Sequence, residues 1–362
     1  MEINFKEPNL RLYKLLNSPE DKNKLREYLL NTININIYQQ AVNKGILEYN
    51  KEDFNLMSRQ IEEKLKEFER KKEEDSENEA FILEINKQIC ELYAQTFDLE
   101  NFEKLTAELL EKDCTPSLKM DILMCKIRIA IIAEDRKMLR MSVEEAENMF
   151  ISSCDWDRKN RLKVYLGLFH IMKAEFSEAA EQFSECLASF EATELLSFEE
   201  LILYLVFSAL LSFSRNELKD KIINNSEVRK CQKLLVLPEF MYECQYHKIL
   251  RELLNFIEII EKDLFLSHFK EHFCKIMKIK IYSQLLLSYQ SLHLEKMAQI
   301  FDVSAASIEE DLRNFINEGK LNCVIDRIDK VVKMRDAHEE DHLFEALLLG
   351  EKILRNIKKN ID

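Results

Sequence analysis

Apolar residues recur at helical spacing along most of the chain. Between Ala80 and about Ser267, amphipathic segments follow one another with short polar breaks, as in Ser197 to Phe213. Helix pairs that cannot bury their apolar faces alone must stack on the next pair, so this pattern predicts a helical-repeat solenoid of the tetratricopeptide type. Within it, Ala179 and Ala180 precede Phe183, and small residues at that spacing allow two helices to approach closely.

The stretch before this region has a different pattern. From Arg59 to Glu79 the sequence is dense in charged residues, with apolar side chains at Ile61, Leu65 and Phe68. Such a narrow stripe predicts a solvated helix that links two parts of the molecule. A self-pairing coiled coil is disfavoured because the stripe does not persist over enough heptads.

The pattern changes again after Leu292. Leu294 to Phe301 predicts a short helix, Asp302 to Ser304 a turn, and Ser307 with Glu310 a capping box that opens a second helix. Gly319 is expected to end that second helix.

Alternating apolar and polar residues then predict a β-hairpin, the only strands expected in the chain. Its first strand begins at Leu321 and its second runs from Val331 to Met334. A longer helix from Tyr282 to Leu292, two helices and a hairpin follow the order of a winged helix. Its edge is a predicted protein interface that comprises Leu321, Cys323, Ile325 and Val331.

Composition supports an all-α protein and excludes several classes of enzyme. The 362 residues include only 4 Gly and 4 Pro, so the turns that punctuate sheets are scarce. No two glycines are close enough for a dinucleotide-binding or phosphate-binding loop, or for the nucleophile elbow of esterases.

Charge argues against nucleic acid and for protein partners. The formal net charge is -14, and the stretch from Tyr282 to Asp336 holds seven basic and nine acidic residues. The helix that would enter the major groove begins with the acids Glu309, Glu310 and Asp311. Phosphates would repel them, so the winged helix is predicted to contact protein.

No cofactor or metal is expected. His338-Glu339-Glu340-Asp341-His342 matches the zinc motif H-E-x-x-H, but the preferred interpretation is the acidic first turn of a terminal helix. A zinc hydrolase using His338, Glu339 and His342 remains a distant alternative. His268 and His272 beside Cys274 lack a visible fourth ligand.

The nine cysteines have no C-x-x-C spacing, which predicts free thiols in a reducing compartment. The longest apolar run, Leu201 to Phe213, is too short to cross a bilayer. The N-terminus carries no secretory signal pattern, so a cytosolic or nuclear protein is predicted.

An amphipathic helix is predicted at the C-terminus. One apolar stripe comprises Leu343, Phe344, Leu347, Leu354 and Ile357. A stripe of this size beyond a complete winged helix indicates an interface with other chains, and packing on its own domain is the alternative.

Several stretches resemble one known family. They include Asp155-Trp156-Asp157-Arg158 with Arg161 and Tyr165, Pro8 to Leu12, Tyr282 to Leu292, and the winged helix from Ile308 to Asp326. Together they resemble the non-ATPase regulatory subunit 6 family, the PCI-domain subunits of the 26S proteasome lid. The paralogous PCI subunit of the signalosome is the nearer alternative, and the stretch around Trp156 favours the proteasome.

The resemblance implies a scaffold without catalytic residues. It implies partners in the other PCI subunits of the lid, the assembly of the lid deubiquitinating subunit, the ATPase base and a small acidic disordered lid protein. Four segments are then expected. They are N-terminal helices with a charged linker helix (1–79), a helical-repeat arm (80–267), a PCI helical end with winged helix (268–336), and a C-terminal bundle helix (337–362). Trp156 is expected to be a buried packing anchor, with Asp155 or Asp157 capping its helix.

Overall fold

The computed structural model describes residues 5–17, 22–74, 78–112, 115–152 and 155–334. The chain divides into two compact units, Met1–Gln232 and Lys233–Asp362. We call them the helical unit and the C-terminal unit. Neighbouring helices of the helical unit pack in chain order, with α5 on α6, α7 on α8, α9 on α10 and α10 on α11.

The helices of the helical unit are α1 (Arg11–Asn17), α2 (Lys22–Thr32), α3 (Ile35–Asn43), α4 (Lys51–Glu74), α5 (Glu79–Thr96), α6 (Leu99–Lys112), α7 (Pro116–Ile132), α8 (Arg136–Ser152), α9 (Trp156–Met172), α10 (Phe176–Cys186), α11 (Phe198–Ser212) and α12 (Arg215–Glu217), which continues as a π-helical turn, Leu218–Ile223. The predicted helical-repeat class is therefore confirmed.

Close packing of α9 on α10 follows from small residues, as the sequence predicted for Ala179 and Ala180. Both alanines are fully buried, and so is Phe183 on the same helix. On α9 the partner position is Gly167, where a Cβ atom would lie 2.5 Å from the Phe183 ring. The absence of a side chain at Gly167 thus brings the two helices together.

The apolar run from Leu201 forms the centre of α11, where every residue from Leu201 to Leu210 is buried. Ser197 caps this helix with Glu200 in a capping box. Within the described ranges, no helix combines the length and apolar character needed to cross a membrane.

The charged helix predicted from Arg59 forms the last two thirds of α4, and Glu79 begins the next helix instead of ending this one. Its stripe residues Ile61, Leu65 and Phe68 are half-buried. Most other positions after Arg59 in α4 face solvent, as the narrow stripe predicted.

The C-terminal unit contains α13 (Gln232–Glu243), α14 (Tyr246–Lys262), α15 (Lys270–Leu286), β1 (Ser291–His293), α16 (Leu294–Phe301), α17 (Ala305–Asn317), β2 (Cys323–Asp326) and β3 (Val331–Met334). Its three strands form one antiparallel sheet in the order β1-β3-β2. The predicted winged helix is thus present.

The prediction that strands are confined to the hairpin was wrong. Ser291 and Leu292, assigned from the sequence to the end of a helix, belong to strand β1 (Ser291–His293), and the preceding helix ends at Leu286. Leu292 of β1 pairs with Val332 of β3. A strand of three residues shows no periodicity of its own, so its identity depends on this distant partner.

The predicted capping box of α17 was also wrong. The helix starts one turn earlier, at Ala305, because the Ser304 hydroxyl accepts the backbone N–H of Ser307 at 3.2 Å. The predicted end was correct. Gly319 has φ +68°, and its N–H and that of Lys320 bond back to Ile316 and Phe315 in a Schellman arrangement.

Candidate functional site in the winged helix and the helical unit

The winged-helix sheet has β2 at one edge and β1 at the other. Val331, predicted for the interface edge, lies instead on the central strand β3, where it pairs with both His293 and Asp326. Its backbone already faces two strands, so a further strand cannot pair with it.

Burial leaves fewer of the predicted edge residues with side chains that a partner could contact. Leu321 and Cys323 are 3% and 1% exposed, so their side chains belong to the core, and Ile325 is half-buried. The exposed apolar residues of β2 and its turn are Val324 at 43% and Ile328 at 94%. Neither residue was predicted for the interface, although strict alternation from Cys323 places Val324 on the outer face.

The turn between β2 and β3 is fixed by its own side chain. The Oδ1 atom of Asp326 accepts the backbone N–H groups of Ile328 at 3.0 Å and Asp329 at 3.3 Å. Lys330 then adopts φ +49°. This geometry holds Ile328 outward at the tip of the wing.

The three acids predicted to begin α17, Glu309, Glu310 and Asp311, lie instead in its second turn and have separate roles. The carboxylate of Asp311 accepts a hydrogen bond from Tyr282 at 3.0 Å and one from Lys278 at 2.8 Å. Glu309 pairs with Arg313 at 3.0 Å, while Glu310 is exposed. Burial, reinforced by Asp311, raises the pKa of Tyr282.

Tyr282 is also the centre of an aromatic cluster in the C-terminal unit. Its ring lies 5.2 Å from that of Phe301 and 6.2 Å from that of Phe315, measured between centroids. The cluster therefore connects α15, α16 and α17.

A groove of about 160 Å³ lies between α17 and β2. Its lining includes Arg313, Asn317, Val324 and Arg327. These groups offer hydrogen-bond donors beside an apolar side chain next to an open strand edge, which suits an extended polypeptide.

In the helical unit, the expectation that Trp156 is a buried packing anchor was wrong, because its side chain is 67% exposed. Trp156 is the first residue of α9, and the buried face of this helix begins at Asn160. Asp155 precedes the helix without capping its backbone, and Asp157 is exposed. The Asp155 carboxylate bonds instead to Ser117 at 3.1 Å and Arg158 at 2.8 Å.

The predicted ion pairs of Arg158 and Arg161 are confirmed. Arg158 binds Asp121 of α7 through Nε at 3.1 Å and Nη2 at 2.8 Å. Arg161 donates to Glu194 through Nη2 at 2.7 Å and lies 3.7 Å from Asp121. The two arginines of α9 therefore connect α7 to the loop before α11.

A third arginine completes this buried network. Arg128 of α7 is fully buried and donates to the Tyr165 hydroxyl, which donates to Glu194 at 2.9 Å. Burial alone would raise the pKa of Glu194, but Arg161, Arg128 and hydrogen bonds outweigh it and hold that pKa below its ordinary value. Burial raises the pKa of Tyr165 despite the adjacent cations.

Asp121, Arg128 and Glu194 were not predicted from the sequence. The signal was available for two of them, since Asp121 and Arg128 interrupt the apolar run of α7, from Leu118 to Ile132. A charge surrounded by apolar residues on a buried helix requires a partner. Nothing local indicated which residues would supply it.

Metal chemistry finds no support in the part of the chain that the structure describes. There, no group of three or more His, Cys, Asp or Glu side chains could hold a metal ion, and this includes the surroundings of His268, His272 and Cys274. The seven described cysteines are free thiols. The H-E-x-x-H run and the predicted terminal helix (337–362) lie outside the described residues.

Comparison with known proteins identifies the family. The protein-family model "26S proteasome subunit RPN7" matches residues 50–221, and the family model of the PCI domain matches residues 247–336. The 26S proteasome regulatory subunit rpn7 of Schizosaccharomyces pombe is 32% identical over 86% of this chain and 82% of its own. The 26S proteasome non-ATPase regulatory subunit 6 of Dictyostelium discoideum is 31% identical over 85% and 83%. The RPN7 subunit of Saccharomyces cerevisiae is 29% identical over 94% and 83%. The chain therefore belongs to the family of 26S proteasome subunit RPN7, also called non-ATPase regulatory subunit 6.

Proposed function

We propose that this protein is a non-catalytic scaffold subunit of the lid of the 26S proteasome regulatory particle. In this role it supports lid assembly and the ubiquitin-dependent degradation of proteins. The observation that carries the proposal is the edge strand β2, which within the described residues pairs only with β3 and presents Val324 and Ile328 to solvent. An open edge can extend the sheet of a neighbouring subunit.

Electrostatics supports a protein partner over nucleic acid. Glu309 and Glu310 occupy the first half of α17, and the chain carries a net charge of -14. A recognition helix needs basic residues near the phosphates. The acidic residues of this helix therefore favour a protein neighbour over a phosphate backbone.

The family suggests more specific partners, which we include in the proposal. These are the neighbouring PCI subunits, the assembly of the lid deubiquitinating subunit, the ATPase base and a small acidic disordered lid protein. The 337–362 segment would enter a helical bundle shared with other subunits. The 1–79, 80–267 and 268–336 segments would act as linker, arm and joining domain, in a cytoplasmic and nuclear complex.

The edge contact can be tested by changing the surface of the full chain. Val324→Lys together with Ile328→Asp places charges on the exposed face of β2 and its turn without entering the core. The matched control is Val303→Lys, because Val303 is also exposed, at 36%, but lies in the turn between α16 and α17. Both proteins should keep the helical circular dichroism of the wild type.

The readout is the amount of lid subunits that co-purify with tagged chain from cells. We expect a strong loss for the β2 double variant and wild-type recovery for Val303→Lys. Equal recovery in all three would refute the role of the β2 edge. A co-purified complex composed of signalosome subunits would refute the proteasome assignment and support the paralogous alternative.

Two further measurements address the remaining parts of the proposal. Deletion of residues 341–362 should leave a folded chain that no longer enters the complex, and retention at the wild-type ratio would refute the shared bundle. Elemental analysis of the purified chain should show no stoichiometric zinc. One equivalent that disappears in His338→Ala/His342→Ala would support the zinc hydrolase instead.

A further inference from the structure

The N-terminal segment Phe5–Lys14 lies against the helical unit as a separate strip of chain, which we call the strap. Residues 5–9 form no helix, and α1 begins at Arg11. The side chains of Phe5, Leu10 and Leu12 are fully buried nonetheless. The strap therefore occupies an apolar groove formed by parts of the chain that are distant in sequence.

Arg128 anchors the strap through backbone atoms. Its guanidinium donates to the carbonyl oxygen of Phe5 and, through Nε at 2.9 Å, to that of Pro8. Its Nη2 atom also lies 3.5 Å from the carbonyl oxygen of Glu7. The carbonyls of the strap thus satisfy much of the donor capacity of a fully buried cation.

Contacts on either side of this anchor complete the docking. The N–H of Leu10 donates to the carbonyl of Glu194 at 2.9 Å, and Lys14 forms an ion pair with Glu200 of α11. The strap thereby contacts α7, α11 and the loop that precedes α11.

The strap and the helices beneath it have different sources of stability. Helices α7 and α9 are held by their internal hydrogen bonds and by packing on each other and on α8 and α10, which does not involve the strap. Residues 5–9 depend on contacts with other segments, and a chain end can open without closing a loop. Opening the strap therefore requires less free energy than unfolding the helices.

We propose that the strap is a conformational latch, which opens and closes as one unit on the folded helical unit and is held shut by Arg128. In the closed state, Arg128 and Glu194 are sealed from water. In the open state both are hydrated, and the apolar groove is exposed. The latch concerns the chain itself and does not depend on the proposed role in the proteasome lid.

Limited trypsin digestion of the full chain tests the latch, because Lys6 and Arg11 are exposed cleavage points within the strap. In Arg128→Lys the charge is kept, but an ammonium group cannot reproduce the planar fork of donors. We expect cleavage at Arg11 to accelerate about tenfold or more, since a hydrogen bond to a charged group is lost. The matched control is Arg158→Lys, because Arg158 binds Asp121 and Asp155 and does not touch the strap.

Hydrogen exchange followed by mass spectrometry separates opening of the strap from global unfolding. Amides of the strap should exchange faster in Arg128→Lys, by a larger factor than those of α9, where Arg128 also bonds to Tyr165. Phe5→Ala provides a second variant, which weakens the strap from its own side and leaves α7 unchanged. Its strap amides should likewise exchange faster.

Two results would overturn the latch. One is an unchanged rate of strap exchange and cleavage in Phe5→Ala and Arg128→Lys. The other is strap exchange that always matches the rate of α9, which would mean that the strap opens only when the helical unit unfolds. As a direct check, a synthetic peptide of residues 1–11 should bind the chain after cleavage at Arg11 and raise its melting temperature.

Discussion

The contact between Gly167 and Phe183 allows a quantitative test of how the helical unit is packed. Substitution of Gly167 by Ala would place the new Cβ atom 2.5, 2.7 and 2.8 Å from Cε1, Cζ and Cδ1 of the Phe183 ring. Ordinary van der Waals contact begins at 3.4 Å, so α9 and α10 would have to separate by about 1 Å. Phe183 is fully buried, so its ring cannot move away from α9 into solvent.

Two effects of Gly167→Ala oppose each other. Alanine stabilises a helix interior by about 1 kcal/mol relative to glycine. Overpacking a closed core costs typically about 1 to 3 kcal/mol, and a contact this short lies in the upper part of that range. We therefore expect a net loss of roughly 1 to 2 kcal/mol in the free energy of unfolding.

The assay is urea unfolding of the full chain followed by far-ultraviolet circular dichroism, carried out as a double-mutant cycle with Phe183→Leu. The smaller leucine makes room for the new methyl group, so the coupling energy should reach about 1 kcal/mol or more in favour of the double variant. Gly45→Ala serves as a control. Gly45 has φ +72° and open space around it, so its alanine is strained by the backbone alone.

Phe183→Leu should not rescue Gly45→Ala. A Gly167→Ala protein as stable as the wild type would refute the close approach of α9 and α10. A coupling energy near zero would show that the loss arises elsewhere than at the Phe183 ring.

Three other predictions follow from burial and hydrogen bonding. Trp156→Ala should change the free energy of unfolding by no more than about 0.5 kcal/mol, as expected for a surface residue, and a larger loss would contradict its exposure. Glu194→Gln should cost about 3 kcal/mol at neutral pH, because it leaves Arg161 and Arg128 without their carboxylate. Since the folded pKa of Glu194 lies below the ordinary value of 4.5, its contribution is complete above that pH. The stability difference between wild type and variant should therefore shrink as the pH of the urea titration falls through the folded pKa. Tyr282→Phe should cost about 1 kcal/mol through the lost bond to Asp311, measured by the same titration, and no cost would contradict that bond.

Local features of the sequence were sufficient for the class of the fold. Scarce glycine and proline, together with helical periodicity, predicted the stacked helices, and Gly319 correctly predicted the end of α17. The pair Ala179 and Ala180 correctly indicated close helix packing. Periodicity and turn chemistry depend on residues that are close in sequence, so a helix or its end can be predicted from the segment itself.

For the candidate site, the sequence located the hairpin and the arginines of α9 but not their surroundings. Strand β1 exists because Leu292 pairs with Val332, forty residues later in the chain. The burial of Leu321 and Cys323, and the central position of Val331, depend on how the sheet packs and on which strand lies between the others. None of this can be inferred from alternation alone.

Tertiary structure alone decided where the buried charges find their partners. Arg128 meets Pro8 from a distance of 120 residues in sequence, and Arg161 meets Glu194 from 33 residues away. Trp156 became a surface residue because the buried face of α9 begins one turn later, at Asn160. A buried guanidinium requires acceptors within hydrogen-bonding distance, which is about 3 Å. Residues far apart in sequence reach that distance only in the folded chain. The sequence around an arginine therefore does not indicate which distant residue will accept its hydrogen bonds.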